Sequence, residues 1–500
     1  MKRILLIISS LAVLIGSVGC DMDLRPAGTV DPDNAIESIT DAENFREGMY
    51  VLMRSTVGGT YASVDEIRSD LFHATSSFNN NGGTMYNWIQ VSSDGDASTL
   101  WANSYYVIGD VNFFLQKISQ LDLSEWSQES IDSLNTWKGE AYFIRAYHHM
   151  ELAEKFCLSY VGNEQSFGIP YITTYSPSSN PSSYPSRGTL ENTFSNILKD
   201  LDSAASYLES VPGVRGSERI TADAVTALQA RVALEMGDYT LAAEKAGELV
   251  NSGRYPLVSG EDAFRSMWLN DSDDESILQL YADRNELGAS YDYTYLGYST
   301  EKDVFQPYYV PEQWVIDLYD PDDHRFRNYF MQYSLQVAGG LSVTDVYMFS
   351  KFQGNAALRT GVAWNYRIEP KVFRIAEMYL ICAEAAAQGG GGDPLEYINQ
   401  LRASRNAEVV TSVPGDVLDL ILEERVRELI GEGFRIQDLK RLHRSLQRGA
   451  AQDESIIYQP SLNQAAFQRD YTDPRMLYPI PQAEIDANPQ IAGQQNEGYN

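Results

Sequence analysis

Cysteine and histidine are scarce in this 500-residue chain, three and five respectively. That scarcity excludes a disulfide scaffold and a Cys/His zinc module, and a chain this long buries a core without either. No HExxH segment occurs. His148 and His149 are neighbours, about 100° apart around a helix, and are poorly placed to share a metal; one is expected in the core and one at the surface. Basic charge is also short: 38 Lys and Arg face 69 Asp and Glu, a net charge of -31. Such a surface repels phosphate, which excludes nucleic acid, and it lacks the polybasic face of membrane-surface proteins. Beyond residue 20 no apolar run is long enough to cross a bilayer. Gly389 to Gly392 precede Asp393-Pro394 instead of Gly-Lys-Ser, so they are no phosphate cradle. Asp271-Ser-Asp-Asp-Glu275 opens like a calcium loop, but Ser276 and Ala282 stand where Gly and Glu are needed, and solvated loop acids are expected. No carboxylate pair is singled out for hydrolysis. These absences favour a binding protein over an enzyme, with no cofactor and no metal; a surface hydrolase is the competing class.

The N-terminus supplies the sharpest local signal. Lys2 and Arg3 precede an apolar stretch, Ile4 to Ile15, and small residues lead into Cys20. This has the shape of a secretory signal over residues 1–19. Ser17-Val18-Gly19-Cys20 resembles a lipobox, with Ser17 where Leu is usual, so Cys20 is expected to be lipidated and to anchor the chain; two or three acyl chains hold stably. Residues 20–40 read as a polar tether. Cys157 and Cys382 lie in helical apolar stretches and read as buried free thiols, with a bridge between them left open.

Along the body, a first helix is expected over about 41–55. Residues 56–100 carry loop composition, with Asn79-Asn-Asn-Gly-Gly83 as its extreme. From Leu100 to Val250 the apolar spacing is helical, most clearly in Trp137 to Cys157 and in 189–208, where Thr189 is the expected N-cap; Thr221 caps the next helix. Trp101 and Trp137 are expected in the core. Ala227 to Ala242 resembles a tetratricopeptide hairpin turning at Gly237-Asp238. A second copy starts at Tyr379 and turns through Gly389 to Gly392. Such hairpins must stack on neighbours to bury their apolar faces. Residues 254–370 break the pattern, and Tyr281, Tyr291, Tyr293, Tyr295, Tyr298, Tyr308 and Tyr309 crowd into part of it. Long irregular segments inside a folded chain are usually functional.

Ordered motifs then suggest a family. Lys138-Gly-Glu-Ala-Tyr-Phe-Ile-Arg-Ala-Tyr147, Gly168-Ile-Pro170 and Arg219 to Leu234 come first. Phe373 to Ala385, Ile398 to Arg402, Glu423-Glu-Arg-Val-Arg-Glu428, Gly433-Phe-Arg435 and Asp438 to Arg441 follow. The chain closes on Leu477-Tyr-Pro-Ile-Pro481 and Gln495 to Tyr499. In this order they resemble the SusD/RagB family over nearly the whole mature chain. The resemblance implies a mainly α fold: tetratricopeptide-like hairpins forming an α-α superhelix, with a loop-rich irregular ligand-binding face. It implies one body over 41–500, with an N-terminal part to about 240 and a C-terminal part from about 250. It also implies an outer-membrane lipoprotein on the extracellular surface, acting as lid of a SusC-type TonB-dependent transporter. Asp21 and Asp23 resemble the family's surface-export signal. The implied ligand is an oligosaccharide, with peptide capture of the RagB kind as the alternative.

The irregular regions match the family in position but not in specific residues. The ligand contacts are therefore read from chemistry: Asp65, Arg68, Asn80, Tyr86 and Trp88 from the first region, and Tyr293 and Tyr295 from the second. Tyr291, Tyr293 and Tyr295 alternate, so an extended segment would present them as one stacking row.

Overall fold

The computed structural model describes residues 34–361, 366–459 and 468–499. The expected signal segment 1–19, Cys20 and the tether as far as residue 33 lie outside the described residues.

The N-terminal part is a run of helices, most of them packed on their neighbours in sequence. α1 (Ile39–Thr56) starts at Ser38, whose hydroxyl accepts from the Asp41 N–H while the Asp41 carboxylate accepts from the Ser38 N–H, a reciprocal cap. α2 (Thr60–Arg68) follows, then α3 (Gly95–Ser119), α4 (Gln128–Phe156), α5 (Leu190–Leu208), α6 (Ala222–Glu235) and α7 (Tyr239–Asn251). Thr189 and Thr221 cap α5 and α6 as expected, each hydroxyl accepting from the N–H three residues on. α3 packs on α4, α4 on α5, α5 on α6 and α6 on α7. The turn between α6 and α7 needs Gly237, at φ 71°, and Asp238 caps α7 by accepting from the Leu241 N–H.

α8 (Glu261–Leu269) leads into the irregular region. The chain becomes helical again in α9 (Ile375–Ala387), α10 (Pro394–Ser404), α11 (Val417–Leu429) and α12 (Arg435–Arg441). α9 packs against α7, so the second hairpin stacks on the first across the intervening residues 252–374. Close approach is written into the glycine run: a Cβ on Gly390 would sit 2.2 Å from the Tyr239 carbonyl oxygen. The main core fills the helical layers, with Trp101 and Trp137 both inside. Cys157 and Cys382 are buried and unbridged. No described helix is long and apolar enough to cross a membrane.

Two expectations need correction. His148 and His149 are both buried. His148 Nε2 meets the Thr56 hydroxyl at 2.9 Å, while His149 accepts from the Ile172 N–H and stacks on Tyr171 at 3.7 Å. With both rings satisfied, neither needs water. Residues 56–100 are not all loop, because α2 occupies 60–68.

The C-terminal part is held by an interior ion-pair network. Glu428 on α11 accepts from Arg374, Arg405 and Arg325, all essentially without solvent contact. Arg405 also grips Glu275 through two bonds of 2.7 and 2.8 Å. Arg325 reaches Glu424 and Asp323, and Arg374 reaches Glu432. Burial alone would raise the Glu424 carboxyl, but Arg325, Arg427 and Arg402 bring it down to about 2.

A stability profile follows from groups displaced in opposite directions. Glu424 ionises below the ordinary range, so its contribution is present above pH ~4.5 and lost as pH falls toward 2. Burial lifts Glu66, Glu154 and Glu312 to about 8. Those acids hold protons in the fold that the unfolded chain gives up, so they erode stability as pH rises from 4.5 to 8. Burial depresses His73 and His148 to about 4 and His149 to about 3, which makes stability rise with pH up to ~6.5. The two sets offset each other between 4.5 and 6.5. Melting temperature is expected to plateau there and to fall by pH 8 as well as below pH 4; a profile still rising from pH 6.5 to 8 would contradict this balance.

Candidate functional site

The two irregular regions do converge. Strand β1 (Phe72–Ala74) pairs antiparallel with a later strand, Tyr309–Pro311, and the Tyr86 and Tyr309 rings lie 5.6 Å apart. Most residues expected at a ligand, however, lie inside that junction. Asp65 and Arg68 on α2 are 1% and 0% exposed. Asp65 accepts from Lys155 Nζ at 2.6 Å and from the Tyr478 hydroxyl at 2.8 Å. Burial would raise its carboxyl, but Lys155 and Arg68 hold it below the usual range. The Arg68 guanidinium stands over the rings of Tyr478 and Trp88, at 4.2 and 4.8 Å, and donates to the Arg475 carbonyl. Trp88 Nε1 donates to the Arg68 carbonyl, and Tyr86 lies under the Arg448 guanidinium. Arg448 in turn caps the carbonyls of Ile67, Arg68, Ser69 and Tyr86. These side chains bind the end of α2 to the C-terminal segment and have no face left for a ligand.

The tyrosine row is also different from the expected one. Asp292–Tyr295 is a single helical turn, so alternation does not place these rings on one side. Tyr291 lies flat against Phe352 at 3.8 Å, and Tyr295 packs between Phe72 and Phe349. The side chain of Tyr293 lies outside the described residues. Asn80 alone of the described set is exposed, at φ 61° in the Asn79–Asn81 turn.

What this junction does present to solvent is a small sheet. Its strands are β2 (Tyr298–Ser299), β3 (Val304–Phe305), β4 (Leu335–Gln336) and β5 (Ser342–Val343), ordered β2-β3-β4-β5. In the β2–β3 turn Asp303 takes φ 53° and is exposed. Its carboxylate accepts from the Tyr298 hydroxyl at 2.7 Å and from the Tyr333 hydroxyl at 3.2 Å. Phe305 sits beneath, 4.9 Å from the Tyr298 ring and edge-on to Tyr333 at 5.6 Å. Tyr333 is 43% exposed. The Asp303 hydrogen bond and charge raise both phenols, so they remain protonated. Gln336 accepts from Lys302 Nζ and donates to the Ser342 hydroxyl nearby. Phe305 and Tyr298 share a core cluster with Ile456 and Ile457, and Tyr458 packs on Phe78 at 4.6 Å. The sheet therefore continues into the face that carries the Asn79–Asn81 turn.

Two accessible aromatic rings joined through a carboxylate, with amides and an ammonium group alongside, match a polyhydroxylated ring: C–H faces stack on the phenols and hydroxyls meet acceptors and donors. Among the described residues no group of three His, Cys, Asp or Glu is gathered that would hold a metal ion. Of these residues the sequence singled out only Tyr298, as one tyrosine in the crowd. Tyr333 and Asp303 meet it only through the strand pairing, which no local pattern announces.

Comparison with known proteins agrees with this architecture. The profile described as the SusD family matches residues 324–499, and one described as starch-binding associating with outer membrane matches 29–234. A SusD-like protein of Formosa agariphila is 22% identical over 408 residues, 71% of this chain and 75% of its own. The crystal structure of a SusD superfamily protein from Bacteroides thetaiotaomicron superposes with a TM-score of 0.77 at 27% identity, over 92% of this chain and 99% of that one. A SusD-like carbohydrate binding protein from Bacteroides vulgatus gives 0.74 at 20% identity, over 91% and 97%. With the hairpin stack, the buried motif charges and both profiles in register, the chain belongs to the SusD/RagB family.

Proposed function

We propose that the protein captures carbohydrate at the outer membrane through the loop-rich face and passes it to a SusC-type TonB-dependent transporter. The observation that carries the reading is the Tyr298–Asp303–Tyr333 trio, an accessible aromatic and carboxylate surface. Family membership supports the sugar-binding role and the outer-membrane setting. Asn80, and Tyr293 at its sequence position, extend the proposed contact set, whereas Asp65, Arg68, Tyr86, Trp88 and Tyr295 serve as its scaffold. Lipidation of Cys20, with residues 1–19 removed, is the proposed anchor. Mass spectrometry of the membrane-extracted protein is expected to find a diacylated, N-acylated Cys20 as the first residue; an unmodified N-terminus at another position would remove the anchor from the proposal.

The site is tested by Tyr298→Ala and Tyr333→Ala. Each ring supplies roughly 1 kcal/mol of stacking, so each single variant is expected to weaken oligosaccharide binding about fivefold; the exposed Tyr333→Ala is expected to melt like the parent, while Tyr298→Ala melts lower because its ring also packs on Phe305. Unchanged affinity in both variants would place the ligand elsewhere.

A further inference from the structure

A second surface cleft lies between α1 and the chain leaving the strand Ser276–Gln279. It holds about 230 Å³, less than the ~300 Å³ at which pockets for drug-sized molecules begin. That room suits one sugar ring. Glu47, Tyr50 and Arg54 line one wall, brought to a common face of α1 by their three- and four-residue spacing. Leu280, Tyr281 and Glu286 form the other wall, and Glu218 and Arg219 close the end.

The cleft is braced from beneath. Arg54, almost fully buried, donates to the Tyr281 carbonyl and to Glu286, both at 2.7 Å. Arg219 stands over the Tyr50 ring at 4.5 Å and donates to Glu47 at 2.8 Å. Both guanidiniums are thus committed to carboxylates already in the wall. The Tyr281 ring is 42% exposed and its hydroxyl meets Asp283 at 3.3 Å. The exposed Glu218 carboxylate makes no hydrogen bond among the described residues, and it lies close enough to the Tyr281 phenol, with Asp283 and Glu286, to act on its ionisation. Four carboxylates therefore face two arginines around one accessible ring. The result is acceptor-rich and net negative, and it favours ligands that donate.

We propose that this cleft is a second saccharide site, separate from the loop face, that takes a single pyranose ring bearing hydroxyls or a protonated amine and rejects rings carrying carboxylate or sulfate. Tyr281 supplies the stacking face and Glu218 the free acceptor. The assignment goes beyond the loop-face reading and does not depend on it.

Saturation-transfer NMR with glucose, glucosamine and glucuronate, run on the full chain, tests it. Tyr281→Ala and Glu218→Gln change exposed groups, and melting curves verify that both variants fold. The expected result is transfer to glucosamine and glucose but not to glucuronate. It should fall roughly five- to tenfold in Tyr281→Ala, with glucosamine losing more than glucose in Glu218→Gln, and it should persist in a Tyr298→Ala/Tyr333→Ala variant. Absence of transfer to glucose and glucosamine, equal transfer to glucuronate, or loss in the loop-face variant with none in Tyr281→Ala would overturn the second site; the last result would leave the loop face standing alone.

Discussion

Glu428→Ala is expected to cost about 3–5 kcal/mol, the loss typical of removing one partner from a buried ion pair. Against a total stability of ~5–15 kcal/mol for a typical domain, that is a large share. The reason is geometric. Glu428 is fully buried and accepts from Arg374, Arg405 and Arg325, whose side chains are 2%, 0% and 0% exposed. Removing it leaves three guanidiniums crowded in the interior with Glu275, Glu424, Asp323 and Glu432, and Glu424 is also shared with Arg402 and Arg427 and Glu432 with Lys351. Like charges that the carboxylate separated would then repel without solvent screening. Glu428→Gln keeps the shape but loses the charge, so it should fall between parent and alanine. Thermal melting with refolding checks this; an alanine variant melting within a degree of the parent would mean the network contributes nothing net.

Arg68→Ala carries the second large effect, again about 3–5 kcal/mol. The guanidinium joins Asp65, the Arg475 carbonyl and the faces of Tyr478 and Trp88. Its loss leaves the buried Asp65 with Lys155 and Tyr478 alone and opens space between two rings. A ligand-contacting arginine would give the opposite signature. Here melting temperature should drop while the surviving folded protein binds oligosaccharide with parental affinity; a parental melt with lost binding would return Arg68 to the ligand site.

This arginine also shows where sequence reading succeeds and where it stops. Helices α5, α6 and α7 were legible because Thr189, Thr221 and Gly237 mark their ends and their apolar residues recur at helical spacing. The hairpin at Gly389 to Gly392 was legible for the same reason. Family membership was legible because the charges in Glu423 to Arg441 are mostly buried pairs, Arg425 with Asp438 and Arg435 with Asp70 among them, and such pairs fix residue identity. The same buried charges misled the reading of 65–70. A segment reading Asp-Glu-Ile-Arg-Ser-Asp resembles a solvated loop, yet all six residues are buried, with Asp65 held by Lys155 and Tyr478 and Asp70 by Arg435, so polarity did not signal exposure. Trp88 is the clearest case: its polar neighbours suggested a surface ring, while its N–H bonds the Arg68 carbonyl and Arg68 and Arg469 cover it. The trio at Asp303 reaches from Tyr298 to Tyr333 and depends on β3 running alongside β4, a pairing that no local signal encodes.

Calorimetric titration of the intact protein against an oligosaccharide panel, with a peptide mixture run in parallel, tests carbohydrate capture most directly. Saturable binding of at least one oligosaccharide near micromolar affinity, roughly 8 kcal/mol, with no heat from the peptides, is the predicted result; binding confined to the peptide mixture would contradict it.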